Sequence, residues 1–110
     1  MADKSDRDIV PGTLDLLILK TLATKPMHGW GIGQRIERLS GVFSVKLASL
    51  YPALDRLYRD GLIDAEWQLS ENNRRARYYR LTRAGRRRLR DEEHEWGQRV
   101  MGIARILEAT

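Results

Sequence analysis

The sequence predicts a mainly α fold with a small β-hairpin, and three observations carry that expectation. Apolar residues recur at helical spacing in three segments before residue 60. The period then changes to strict alternation over residues 63–69. A last helical segment, residues 83–108, would extend about 39 Å at 1.5 Å per residue. At 110 residues the chain has room for one modest core, burying about 60–70% of the surface its unfolded form exposes.

The first ten residues are polar and read as an arm, with Pro11-Gly12 marking the start of structure. Thr13 is then placed to cap a first helix reaching about Ala23. Its residues Leu14, Leu16, Leu17, Ile18, Leu19 and Leu22 cover nearly the whole circumference. A helix apolar all round needs cover on two sides, and in so small a chain a second subunit can supply one of them. Lys25-Pro26 ends it, because the residue before proline avoids helical geometry.

Residues 28–40 form a second helix with Ile32, Ile36 and Leu39 on one face, closed by Ser40-Gly41. Gly29, Gly31 and Gly33 do not match a dinucleotide loop. No strand precedes them and the third glycine comes one position early, so close packing is the better reading. A third helix carries Leu47, Leu50, Leu54 and Leu57 and stops at Asp60-Gly61. Two starts are open. With Ser49 as N-cap, Pro52 lies harmlessly in the first turn; with a start near Lys46, the proline falls where it bends a helix.

Ile63, Ala65, Trp67 and Leu69 then alternate with polar residues as a half-buried strand. Ser70-Glu71-Asn72-Asn73 is turn chemistry, and Arg77 to Leu81 supplies a second strand. Trp67 is read as hairpin packing, and at least one of Tyr78 and Tyr79 as core. Thr82 can cap the final helix. There Leu89, Trp96, Val100, Ile103 and Leu107 fall at intervals of 7, 4, 3 and 4, an a/d seam suited to a partner helix. Gly97 and Gly102 interrupt that helix and suggest close contact. The expected layout is an arm (1–10), a body (11–82) and a C-terminal dimerisation helix (83–110).

Charge narrows the function. Twenty Lys and Arg against fifteen Asp and Glu give only +5, but the seventeen residues from Arg74 to Arg90 hold nine arginines and no acid. Such a stripe suits a polyphosphate partner, since guanidinium pairs with phosphate and stays charged. A solvated helix face is the plainer alternative. Zero cysteines exclude disulfide scaffolds, thiolate zinc sites, iron–sulfur clusters and thiol catalysis. No nucleophile elbow, P-loop or zinc motif is present, so no catalytic residue and no cofactor are expected. His28 and His94 are 66 positions apart, neither with metal-ligand spacing, and no metal site is expected. The N-terminus is hydrophilic and no apolar run approaches about 18 residues, so neither a membrane span nor a secretory signal is expected. That makes the cytoplasm the expected compartment.

The order helix, helix, helix, hairpin, long helix is that of a winged helix-turn-helix, with the third helix entering a DNA major groove and the hairpin as wing. Its leucine face would leave Ala48, Ser49, Pro52, Asp55, Arg56 and Arg59 pointing outward, with Lys46 and Tyr51 on the flanks.

Several runs resemble the PadR family of transcriptional regulators: Met27-His28-Gly29-Trp30, Ser49-Leu50-Tyr51-Pro52-Ala53-Leu54-Asp55-Arg56-Leu57, Asp60-Gly61-Leu62-Ile63, Arg74-Arg75-Ala76-Arg77-Tyr78-Tyr79-Arg80-Leu81-Thr82 and Ala84-Gly85. The resemblance covers about residues 11–107. It implies a winged-helix repressor on double-stranded DNA with a palindromic operator, a homodimer made by the last helix against the partner's first, and in some members release by phenolic or drug-like ligands. Trp30 departs from the usual tyrosine, and at this length the extra C-terminal domain of longer members is not expected. Residues assigned to DNA are Lys46, Ser49, Tyr51, Pro52, Arg56, Arg74, Arg75 and Arg77, although Tyr51 can also be read as a brace. Residues assigned to the dimer are Leu14, Leu17, Leu89, Trp96, Val100, Ile103 and Leu107. Trp96 either fills that dimer core or, with Glu93, receives a flat aromatic cation. The rival to a DNA-binding regulator is a protein-interaction module that uses the final helix as its adhesive.

Overall fold

A computed structural model describes residues 12–109, so the expected arm and Pro11 lie outside the described residues. Helix α1 covers Thr13–Leu22, strand β1 Met27–His28, α2 Gly29–Ser40, α3 Leu47–Arg59, β2 Ile63–Leu69, β3 Arg75–Leu81 and α4 Arg83–Ala109. The architecture is mainly helical with a small antiparallel sheet, as expected. The sheet has three strands rather than two, in the order β1-β3-β2. Met27 pairs with Tyr79 and His28 with Tyr78. A strand of two residues is too short for alternation to reveal it.

Local chemistry sets the ends of the elements. Thr13 lies inside α1, and Gly12, at φ 91°, is the N-cap without a side-chain bond. This corrects the expected threonine cap. His28 caps α2, its Nδ1 accepting from the Gly31 N–H at 3.0 Å. The α2–α3 turn is closed from α2: Glu37 Oε2 accepts from the Val45 N–H at 2.7 Å and Ser40 Oγ from the Phe43 N–H at 3.1 Å. Of the two starts left open for α3 the earlier holds, with Lys46 as N-cap and Pro52 inside the helix. The Ala48 carbonyl thereby loses its intrahelical donor, but Ala48 is exposed and water can serve it. Thr82 caps α4 as expected: its Oγ1 accepts from the Gly85 N–H at 3.0 Å and donates to the Gly61 carbonyl at 2.7 Å.

The core lies between the three short helices and the base of the sheet, around Ile18, Leu19, Ile32, Leu50, Leu54, Leu57 and Ile63. Most of α1 is covered by its own chain. Leu16, Ile18, Leu19 and Leu22 are buried, and Leu14 and Leu17 are half-buried against the same core. The apolar periodicity overreached at its edges. Leu39 is 66% exposed, and Leu47 and Leu69 also face solvent. Helix α4 starts in the core through Gly85 and Leu89 and then leaves it. The projection shows in the radius of gyration, 15.4 Å, against about 13 Å for a compact chain of this size.

Candidate nucleic-acid interface

The outer face of α3 carries the residues expected there. Lys46, Ala48, Ser49, Pro52, Asp55, Arg56 and Arg59 are all exposed, as is Tyr51 at 45%. The inner face is held by Leu50, Ala53, Leu54 and Leu57, so the outward set follows from the packing. Arg56 is committed differently from its neighbours. Its guanidinium donates to the Asp15 carboxylate of α1, and that bond pushes its pKa up. Arg59 pairs with Asp55 one turn back at 3.2 Å.

Beside α3 stands the β2–β3 hairpin, whose two strands pair Ile63 with Leu81, Ala65 with Tyr79, Trp67 with Arg77 and Leu69 with Arg75. One face of this ladder therefore changes character along its length. At the base it is apolar and buried; at the tip it carries exposed Trp67 and Leu69 with Arg75. Asn73, at φ 59°, and a 2.8 Å bond from its N–H to the Ser70 carbonyl form the tip turn.

The wing arginines rest on aromatic rings. The Arg75 guanidinium lies 4.9 Å from the Trp67 ring centroid. Arg77 lies 4.7 Å from the Tyr58 ring of α3 and 5.8 Å from that of Tyr79. Guanidinium over an aromatic face is favourable and restricts the side chain's rotamers. Arg77 thus links wing to helix. Burial pushes the pKa of the Tyr79 phenol up, and Arg77 opposes that shift only in part.

Trp67 and Tyr58 were missed as platforms. Trp67 packs within the hairpin as expected, against the Arg75 guanidinium of β3, while staying 58% exposed. The signal that points to it is cross-strand register, which places Arg77 opposite Trp67 and Arg75 two pairs further out, on the same face. Tyr58 had no such local signal, because its contact crosses between elements.

Helix α3, the start of α2 and the wing enclose an open groove of about 510 Å³. Tyr51, Trp30 and Trp67 form its walls, and Arg74, Arg75 and Arg77 its cationic side. Of the eight residues assigned to DNA, Tyr51 and the three wing arginines share this groove. Ser49, Pro52 and Lys46 lie on the exposed face of α3 outside its lining.

The residues assigned to partner and ligand are divided by the structure. Trp96, Val100, Ile103 and Leu107 form an exposed apolar stripe, and Met101 and Ile106 are also exposed, on other faces of α4. Leu89 does not belong to it, being buried in the chain's own core. Trp96 is 41% exposed and borders a small cleft against Gly12, Thr13 and Leu16, lined also by Glu92, Glu95 and Arg99. Glu93 is absent from that lining and instead meets Lys20 of α1 at 3.1 Å. Lys20 holds it because Glu93 faces α1 where α4 crosses it. Among the described residues no helix is long and apolar enough to cross a membrane.

The chain is similar to known proteins over nearly all of this architecture. It is 32% identical over 99 residues to the transcriptional regulator Rv3488 of Mycobacterium tuberculosis, covering 87% of this chain and 90% of that protein. It is similar to the crystal structure of a PadR family transcriptional regulator from Eggerthella lenta, at 30% identity and a TM-score of 0.76 over 90% of this chain and 85% of that one. It is also similar to Bacillus subtilis PadR, solved in complex with operator DNA, at 27% identity and a TM-score of 0.65; the match covers 73% of this chain and 46% of the longer protein. The model of the transcriptional regulator PadR-like family matches residues 18–91, which include α2, α3, both long strands and the start of α4. The chain belongs to the PadR-like family of transcriptional regulators.

Proposed function

We propose that this protein is a dimeric repressor that binds a pseudo-palindromic operator, reading base edges with the outer face of α3 and gripping phosphate with the wing. One observation carries this reading: Tyr51 and the wing arginines line the same groove, with two arginines braced on aromatic rings. Small and hydroxyl-bearing groups at the start of α3, Ser49 and Tyr51, suit close approach to a groove. The operator-bound relative supports the assignment of DNA as partner. In this division residues 11–82 bind DNA, residues 83–110 associate, and the protein works in the cytoplasm. Selection of duplexes from random DNA at two salt concentrations tests the reading. Enrichment of a two-fold sequence with recognition helices about 34 Å apart, and affinity that falls steeply with salt, are expected.

The exposed stripe of α4 supports the homodimer. It also keeps open a second reading, an interaction module that does not read DNA, for which salt-independent or absent DNA affinity would decide. Trp96 further supports a flat aromatic effector at the dimer junction, with Glu92 and Glu95 beside it rather than Glu93 to favour a cation. Such a ligand derepresses only by binding the DNA-free spacing of the recognition helices more tightly. Quenching of tryptophan fluorescence by planar cationic dyes, lost in Trp96→Phe, is the expected signature.

A further inference from the structure

Gly29 is the first residue of α2, buried against the ring of Tyr51 from α3. A Cβ built at residue 29 would stand 2.7 Å from Tyr51 Cε1 and 3.1 Å from both its Cζ and its hydroxyl oxygen. Nothing in the backbone asks for glycine here, since the glycines in the left-handed region are Gly12, Gly41 and Gly61. At a helix start, alanine is ordinarily at least as good. What requires glycine is the phenol ring.

We propose that Gly29 is the socket that aims Tyr51 into the groove between α3 and the wing, and so is a positioning residue for sequence discrimination. The proposal rests on the DNA-binding reading above. The socket is firmly placed. His28 pairs with Tyr78 in the sheet and caps α2 through the Gly31 N–H, so the backbone on either side of Gly29 is fixed. Tyr51 is 45% exposed, and its own helix pins only its Cα. A ring on a surface helix samples several staggered χ1 wells, and the flat face left by the missing Cβ selects one of them. The atoms a methyl would strike belong to the far end of the tyrosine side chain. Gly29→Ala therefore swings the ring and leaves the fold standing.

The test measures affinity for a duplex selected by the wild-type protein and for random duplex, in Gly29→Ala, Tyr51→Ala, Tyr51→Phe and the Gly29→Ala/Tyr51→Ala double variant. Gly29→Ala is expected to lower the specific-to-nonspecific ratio about tenfold with random-duplex affinity unchanged. In the Tyr51→Ala background the same glycine change is expected to have no effect on the ratio. Tyr51→Phe, which keeps the ring in its socket, should lose less than Tyr51→Ala. The nuclear Overhauser contact between the Gly29 α-protons and the Tyr51 ring should be present in wild type. Absence of that contact, a wild-type ratio in Gly29→Ala, or an equal loss from the glycine change with and without Tyr51 overturns the proposal. If Tyr51→Ala itself leaves the ratio unchanged, Tyr51 does not read DNA and the reading beneath the proposal fails instead. Should Gly29→Ala fail to fold, recovery of folding in the double variant supports the collision, and failure of both refutes it.

Discussion

Leu89 and Leu107 stand on one helix and on one seam of apolar residues, yet the first is 6% exposed and the second 72%. The difference is what surrounds them. Leu89 lies within α4's first two turns, which cross α1 and the base of the sheet. Beyond Glu93 the helix draws away from the body: Trp96 still borders the start of α1, while Val100, Ile103 and Leu107 are increasingly exposed among the described residues. Periodicity in a sequence reports that a face will be buried. It does not report by whom. In this helix the same pattern serves an intramolecular core at one end and, on our reading, a partner at the other.

The largest expected effect breaks the comparison at its exposed end. Val100→Glu/Ile103→Glu removes four apolar side chains from a two-fold interface, at about 1.5 kcal/mol each for burial. The dimer should dissociate to monomer at micromolar concentration in sedimentation, while the helical signal of the body persists. A dimer that survives would place the interface elsewhere.

Glycines sharpen the contrast further. A methyl on Gly85 would collide with the Leu62 carbonyl oxygen, and backbone cannot swing aside as a tyrosine ring can. Gly85→Ala should cost about 3 kcal/mol of stability by forcing α4 off the sheet, read as a lower melting temperature in dimer and monomer alike. Gly97, further along α4, has open space around it. In an isolated chain Gly97→Ala should stabilise the helix by up to about 1 kcal/mol. If the partner helix approaches there, the same change should weaken the dimer. Melting of Gly97→Ala across a range of protein concentrations separates the two effects.

These examples also mark how far the sequence could be read. The order of elements, the outward set on α3 and the cap at Thr82 follow from spacing and local chemistry, and all are present. Contacts between distant elements do not follow from spacing. That Arg77 rests on Tyr58, that Glu93 meets Lys20 and that Arg56 meets Asp15 depend on how α1, α3, α4 and the wing are set against one another. Nor did the β1 strand announce itself, since its two residues are ordered by the partner strand rather than by their own pattern.

The wing gives a smaller effect. If Arg75 touches a phosphate, Arg75→Ala should reduce the salt slope by about 0.9 and weaken all duplexes alike. Trp67→Ala keeps the charge but removes the surface that braces it. It should lower affinity with the slope nearly unchanged, by about 0.5–1 kcal/mol for an exposed cation–π contact. Equal slopes for wild type and Arg75→Ala would remove this arginine from the contact set.

The smallest expected effect concerns the pair that ties α1 to α3. Asp15 and Arg56 are partly solvated, with side chains 25% and 50% exposed, so the pair should contribute no more than about 1 kcal/mol to stability, and less in salt. Asp15→Asn therefore melts within a few degrees of wild type. Its consequence for binding has the opposite sign. Freed from the carboxylate, the Arg56 guanidinium gains reach along the exposed face of α3, and one anion leaves the DNA-facing side. Affinity for random duplex should rise by a few-fold at low salt, and the salt slope should steepen by up to about 0.9. An unchanged slope in Asp15→Asn would show that Arg56 braces α3 on α1 and takes no part in holding phosphate.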